Sequence, residues 1–160
     1  MDIALEPLTP EAFAPFGRVV RVREPQAETE QFVADVENRR GDARLNVGIS
    51  RAKPTPLPLR LHVLERHDHS SQLFVPLAAS RWLAVVASAD GNGEPRHDTL
   101  RAFVAATDQG ICYAPMVWHH PFVCIDGPAE MLMLRWDDGT EADTSWHRIP
   151  DTVRITLVER

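Results

Sequence analysis

Hydrophobic and polar residues alternate along much of the chain, which is the pattern of half-buried β-strands. Leu45, Val47 and Ile49 are separated by Asn46 and Gly48, so the three apolar side chains share one face of an extended segment. Similar segments recur between turn-forming runs rich in Pro, Gly, Asp and Asn. The pattern predicts nine strands, at residues 17–22, 45–49, 61–67, 73–75, 82–88, 100–105, 111–113, 130–136 and 153–158.

One short helix is predicted near the N-terminus. Thr9 is a good N-cap, Pro10 suits the first helical position because its missing N–H would be unpaired there anyway, and Pro15 should end the helix. Thirteen prolines fit short strands and turns but not long helices. We therefore expect a mainly β fold. We favour a small barrel with an open mouth over a sandwich, because the polar residues within the strand pattern need a lumen to face.

Composition narrows the class of protein. A length of 160 residues with 44% hydrophobic and 25% charged residues predicts one domain spanning 1–160. The formal net charge of −6, with scattered rather than clustered basic residues, argues against a nucleic-acid or membrane-surface partner. Two cysteines, no signal-like N-terminus and no long apolar run lead us to expect a cytoplasmic protein. An anionic substrate would need a local group of cations to hold it.

The histidines supply the main chemical signal, because five of the seven fall in or beside two short stretches. In the first stretch, Glu65 and His67 would project to the same face of a strand, about 6 to 7 Å apart. Gln72 follows after an interval that can hold a turn, which would bring its amide opposite them. An alternative register pairs His67 with His69, and two imidazoles suit Zn, Ni or Fe. Both registers include His67.

The second stretch is Trp118-His119-His120-Pro121. Neighbouring residues in an extended segment point in opposite directions, so only one of His119 and His120 is expected to enter a pocket. Two cations, Arg51 and Lys53, follow the strand at 45–49 where a barrel mouth would form, and an arginine there can grip a carboxylate through two hydrogen bonds.

Four segments together resemble the ureidoglycolate lyase family of allantoin catabolism, in the family's order. They are Ile-Ser-Arg-Ala at 49–52, Leu-Glu-Arg-His at 64–67 with Gln72, Leu-Arg-Ala-Phe at 100–103, and Val-Trp-His-His-Pro at 117–121. The likeness runs from about residue 5 to residue 150. It implies a cupin-like barrel that forms a homodimer and cleaves the C–N bond of (S)-ureidoglycolate to glyoxylate and urea.

The resemblance also implies roles for particular residues. Catalysis is expected from Glu65, His67, His119 and His120, and substrate binding from Arg51, Lys53 and Gln72. The positions of the cupin metal ligands are occupied by Glu65, His67, Gln72 and His120. A one-residue slip would place His119 there instead of His120, and His69 is the alternative ligand. The expected cofactor is a divalent metal ion, with nickel suggested by the family. An imidazole would take the substrate's hydroxyl proton, Glu65 would orient an imidazole or act as an acid, and Arg51 would hold the carboxylate.

Three other functions compete with the lyase. A hydrolase acting on the same substrate would release ammonia and carbon dioxide instead of urea. A metal-dependent cupin enzyme acting on another small carboxylate would be recognised by its bound metal and by its sensitivity to chelators. A non-enzymatic cupin would bind a small molecule without turnover.

Overall fold

The computed structural model describes residues 1–23, 29–32 and 34–159. Within these residues the chain forms one α-helix, α1 (Pro10–Phe13), a 3-10 turn at His97–Thr99, and fourteen strands. The strands are β1 (Asp2–Pro7), β2 (Gly17–Arg21), β3 (Arg44–Ala52), β4 (Leu59–Arg60), β5 (Val63–His67), β6 (Gln72–Ala79), β7 (Trp82–Ala87), β8 (Arg101–Ala105), β9 (Gln109–Tyr113), β10 (Trp118–His119), β11 (Val123–Cys124), β12 (Ala129–Asp137), β13 (Thr144–Arg148) and β14 (Thr156–Val158). No helix in this part of the chain has the length and apolar character that a bilayer crossing requires.

The strands form two sheets. The larger has nine strands in the order β13-β5-β10-β7-β8-β1-β14-β4, with β11 also paired to β7, and it curls into a half-barrel. The smaller has the order β2-β9-β6-β12-β3. Most pairings are antiparallel, although β1 runs parallel to both β8 and β14. The mainly β, cupin-like fold with one short helix confirms the prediction from the sequence.

The main core lies between the two sheets. Strand β7 alternates between two sides, since Trp82, Ala84 and Val86 belong to this core while Leu83 and Val85 belong to a second one on the opposite face. The smaller sheet contributes Ile111 and Met131 to the main core, among others. We call the space between the sheets the lumen. A strand with both faces buried reads as continuously hydrophobic, as Trp-Leu-Ala-Val-Val-Ala does here.

The N-terminal helix closes one side of this core. Thr9 caps it, its Oγ1 accepting a hydrogen bond of 3.2 Å from the Ala12 N–H, and Pro10 occupies the first turn. The helix places Phe13, which is fully buried, against Phe103 and Tyr113. The cap and the proline are those that the sequence predicts.

Each of the nine predicted strands overlaps an observed one, although those predicted at 61–67 and 153–158 begin later, at Val63 and Thr156; five further strands were not predicted: β1, β4, β10, β11 and β13. Three of these have only two residues, too few to display a period. Strand β13 reads Thr-Ser-Trp-His-Arg and lacks an apolar face. These short or polar strands are held by their neighbours' backbone groups rather than by their own hydrophobic pattern.

Strand β3 alternates as predicted, but its apolar face is not half-buried. It is the edge strand of the smaller sheet, and Leu45, Val47 and Ile49 are 45%, 58% and 42% exposed. Nothing in the described part of the chain covers them, because this face points away from the lumen. The outer face of the smaller sheet is therefore an apolar surface next to an unpaired strand edge.

Candidate functional site

Strand β5 carries two polar side chains into the lumen. Leu64, which directly precedes Glu65, is buried in the second core. Because side chains alternate along a strand, Glu65 and His67 share the opposite face. His119 on β10 pairs directly with Glu65, and directly paired residues project to the same side of a sheet. Their ligand atoms lie within 4.8 Å of one another. We call Glu65, His67 and His119 the lumen triad.

His119 is surrounded by oxygen atoms. Its Nδ1 lies 2.9 Å from the Val117 carbonyl oxygen, while its Nε2 lies 3.2 Å from Gln72 Oε1 and 3.5 Å from Glu65 Oε1. Tyr113 stacks on the ring with centroids 4.1 Å apart, which fixes the ring plane. If Nδ1–H donates to Val117, an Nε2 lone pair would face two oxygen atoms and be repelled by them. A proton on Nε2 or a cation in the lumen would remove this repulsion.

His67 is buried and has one free nitrogen. Its Nδ1 lies 3.3 Å from Thr144 Oγ1, whereas its buried Nε2 has no hydrogen-bond partner within the described residues. Burial, reinforced by the nearby charges of His119 and Arg135, lowers the pKa of His67 to about 4. The ring is therefore neutral near pH 7, and in the tautomer whose Nδ1–H donates to Thr144 the Nε2 lone pair is available to a proton or a metal ion.

Glu65 is the ionised member of the lumen triad. Burial alone would raise its pKa, but the hydrogen bond from His119 and the charges of His119, His67 and Arg135 lower the pKa below its usual value. Near neutral pH, Glu65 thus places one negative charge in the lumen.

The donor atoms of the lumen triad fit a divalent transition metal. Two imidazole nitrogens and one carboxylate form a set that such ions accept while leaving positions open for other ligands. Each imidazole has its Nδ1 beside a hydroxyl or carbonyl oxygen, as metal-binding histidines usually do, and His119 turns its Nε2 toward Glu65. Gln72 adds an amide oxygen beside His119.

Two residues proposed from the sequence lie outside the lumen triad. His120 has its Nδ1 2.6 Å from the Pro121 carbonyl oxygen, and burial lowers its pKa. His69 follows β5, is exposed, and its backbone N–H donates to Asp143. Of the two registers considered from the sequence, the structure has the one that pairs Glu65 with His67, and of the two adjacent histidines it brings His119 to that pair.

Two cavities flank the triad and share Glu65. The first, of about 390 Å³, is lined by Ser50, Glu65, Gln72, Phe74, His119 and Phe122, among others. The second, of about 290 Å³, is lined by Glu65, Arg135, Thr144 and Trp146 together with the 137–141 loop. Glu65 thus borders both the first cavity, which contains two phenylalanines, and the second, which is mostly polar.

The two cations proposed from the sequence lie at the periphery. Arg51 borders the first cavity, but it shares a strand face with Ile49, is 66% exposed, and its Nε donates to Glu130 at 3.0 Å. Because side chains alternate along a strand, its guanidinium belongs to the outer face rather than to the lumen. Lys53 follows β3 and is exposed.

Arg135, a cation that was not predicted as a site residue from the sequence, does face the lumen. It pairs with Gln72 across β12 and β6, and its charge acts on both Glu65 and His67. Its Nη2 donates to Asp137 at 3.0 Å, while its Nε is buried without a partner within the described residues. The sequence did hold the signal, because Arg135 lies on the same strand face as Met131 and Met133, which are apolar and belong to or pack against the core.

Comparisons with known proteins show which family this chain resembles. The family model described as ureidoglycolate lyase matches residues 1–156. A ureidoglycolate lyase of Burkholderia cepacia is 40% identical over 141 residues, covering 82% of this chain and 78% of the relative. Those of Pseudomonas savastanoi pv. phaseolicola and Pseudomonas syringae pv. tomato are 36% and 34% identical, covering 88% and 97% of this chain and 87% and 94% of the relatives.

Proposed function

The chain belongs to the ureidoglycolate lyase family, and on that premise we propose that it cleaves (S)-ureidoglycolate to glyoxylate and urea. The observation that carries the proposal is the lumen triad, formed by the half-buried Glu65 and the buried His67 and His119, set between two cavities. The substrate's reacting carbon bears a hydroxyl, a carboxylate and a ureido nitrogen. Breaking its C–N bond requires the hydroxyl to lose a proton and the ureido nitrogen to gain one.

We assign the proton transfer to Glu65. It is the ionised acceptor of the triad and borders both cavities, so it is suited to take the hydroxyl proton as the aldehyde forms. The same proton can then pass to the ureido nitrogen as urea leaves, which balances the reaction without water. In metal-free protein the neutral His67 Nε2 is the alternative acceptor, because no other group occupies it.

We assign the substrate's carboxylate to Arg135 rather than Arg51. Arg135 borders the cavity on the polar side of Glu65, and its Nε lacks a partner within the described residues. A planar guanidinium can hold a carboxylate through two charge-assisted hydrogen bonds. Gln72, beside His119 in the first cavity, would then hydrogen-bond the ureido group. The substrate would span both cavities, with its reacting carbon at Glu65.

The lumen triad is proposed to hold a divalent ion, and nickel is the ion that we expect from the family resemblance. Such an ion would supply a Lewis acid that lowers the pKa of the substrate's hydroxyl. The support from this chain is the orphaned His67 Nε2 and the oxygens that surround His119 Nε2. The test is turnover after chelation and dialysis, followed by separate additions of Ni²⁺, Zn²⁺ and Mg²⁺. We expect loss of activity and recovery with Ni²⁺; full activity in the metal-free protein would contradict a role for the ion in turnover.

The proposed reaction is tested by its products. Purified protein is incubated with (S)-ureidoglycolate, and glyoxylate, urea and ammonia are measured against the uncatalysed background. Equal amounts of glyoxylate and urea are expected. Ammonia in place of urea would identify the hydrolase reaction, and no acceleration with or without Ni²⁺ would favour a binding protein.

We also propose that the protein is a homodimer formed through the outer face of the smaller sheet. This face carries the exposed Leu45, Val47, Ile49 and Leu77. Contiguous exposed apolar side chains beside an unpaired strand edge are typical of an interface. A second copy is the occupant that the family resemblance favours. Val47→Lys should yield monomers in light scattering, whereas Val22→Lys, on an exposed residue beyond the other edge of the sheet, should not; a dimeric Val47→Lys protein would contradict this interface.

The cytoplasmic location stays a prediction. Cys112 and Cys124 are both free and buried, and burial raises the pKa of each thiol. Unreactive, unpaired thiols are what a reducing compartment would permit.

A further inference from the structure

A second group of metal-binding side chains lies outside the lumen. His97 comes from the 3-10 turn, His147 from β13, and Glu94 from the loop after β7. The two Nε2 atoms are 3.1 Å apart, and His147 Nδ1 lies 3.2 Å from Glu94 Oε2. His147 pairs with Leu64, whereas Trp146 pairs with Glu65, so His147 points to the face of the larger sheet opposite the lumen triad.

Glu94 determines which nitrogen of His147 is free. A carboxylate accepts a hydrogen bond, so it holds the ring proton on Nδ1 and leaves the lone pair on Nε2. A carboxylate behind an imidazole whose other nitrogen faces outward is the arrangement that orients metal-binding histidines. The Nε2 of His147 lies next to the Nε2 of His97, so the same ion could reach both nitrogens.

We propose that His97 and His147 bind one borderline divalent ion, such as Zn²⁺ or Ni²⁺, with Glu94 orienting His147. With metal–nitrogen bonds of about 2.0–2.1 Å, two ligand nitrogens are about 3.3 Å apart in tetrahedral geometry and about 2.9 Å apart at right angles. The observed 3.1 Å lies between these values. Both rings are partly exposed, so water can complete the coordination, and the carboxylate of Glu94 offsets part of the added charge.

The competing interpretation is a direct N–H···N hydrogen bond in which His97 donates to His147. In that case the pair would have no greater affinity for metal than any two surface histidines. The proposal does not rest on the lyase reaction, because none of its three residues borders either lumen cavity.

Trp118 provides a spectroscopic readout of this site. Its ring stands edge-on to His147 with centroids 6.0 Å apart, and it directly precedes His119 in the chain. A paramagnetic ion such as Ni²⁺ bound at His147 should therefore quench Trp118 fluorescence, and Trp118→Phe should remove that part of the quenching.

The test is calorimetric titration of untagged protein with Zn²⁺ and with Ni²⁺, in a His67→Gln/His119→Gln background that silences the lumen triad. One bound equivalent is expected. It should disappear in His97→Gln and in His147→Gln, weaken roughly tenfold or more in Glu94→Gln, and persist in His62→Gln, a change at an exposed histidine outside both groups. Circular dichroism checks that each variant is folded.

Two results would overturn the proposal. One is the absence of a bound equivalent in the background protein, and the other is an equivalent that survives His97→Gln and His147→Gln. If the background protein fails to fold, the same titration is made on the wild-type protein, where His97→Gln should lower the number of bound ions by one. An unchanged number would refute the site.

Discussion

Replacing Arg135 by Gln tests how the protein recognises a carboxylate. The side chain is 25% exposed and already donates from Nη2 to Asp137, which leaves its remaining N–H groups for substrate. A hydrogen bond to a charged partner contributes about 1.5–3 kcal/mol. Losing one or two of them while the substrate's carboxylate stays in the site should cost about 3 kcal/mol, or roughly 150-fold in kcat/KM.

The loss should fall mainly on KM. The carboxylate is not the group whose bond breaks, so its contacts are similar in the ground state and the transition state, and removing them weakens both equally. The assay is initial-rate glyoxylate release over a range of ureidoglycolate concentrations. Arg51→Gln is the matched control, and we expect less than roughly a threefold change from it, because exposed ion pairs such as Arg51–Glu130 contribute little.

A truncated substrate isolates the interaction. Hydroxymethylurea retains the hydroxyl and ureido groups but lacks the carboxylate, so Arg135→Gln should process it about as well as the wild type does. Together the two proteins and two substrates form a cycle that measures the pairwise energy. The reasoning is refuted if Arg135→Gln leaves kcat/KM for ureidoglycolate unchanged, or if Arg51→Gln produces the loss instead.

Two further predictions concern stability. The pKa of His67 is 6.5 in the unfolded chain and about 4 in the fold, so the unfolded state binds more protons between these two pH values. The free energy of unfolding should therefore fall as pH drops from 6.5 to 4, by about 3 kcal/mol from this residue. Urea unfolding of metal-free protein at pH 7 and pH 4.5 should show a smaller fall in His67→Gln; an equal fall would contradict the assignment. Gly110→Ala would press a Cβ against the Phe74 carbonyl oxygen and should cost at least about 2 kcal/mol in the same assay. Gly91→Ala, which meets no atom within 4 Å, should be nearly neutral, and similar stabilities for the two variants would refute the clash.

Strand periodicity accounts for most of the fold that the sequence predicted. It located nine strands because each presents at least one continuous apolar face to a core or a surface. It could not locate β10, whose two residues have no period, although β10 carries His119 into the lumen. The choice between His119 and His120 depends on the phase of that short strand, which is set by its pairing with β5 and β7 rather than by its own residues.

The cations show what strand alternation leaves open about the direction of a side chain. Arg51 follows Leu45, Val47 and Ile49 at intervals of two residues, so the alternation places it on the apolar face of β3. In the structure that face points to solvent, and the opposite face of β3 lines the lumen. Parity along a strand can be read from sequence, but which face meets the core depends on the partner sheet. Arg135 differs because its parity partners, Met131 and Met133, pack in the main core.

Glyoxylate release by three proteins tests whether the lumen triad is the reaction centre. Wild-type protein, His67→Gln and His62→Gln are compared at saturating (S)-ureidoglycolate with Ni²⁺ present and circular dichroism as the check on folding. We predict equal rates for wild type and His62→Gln, and a loss of roughly 100-fold or more in His67→Gln, because this variant lacks one of the proposed ligands of the ion. A folded His67→Gln protein with wild-type activity would contradict the account.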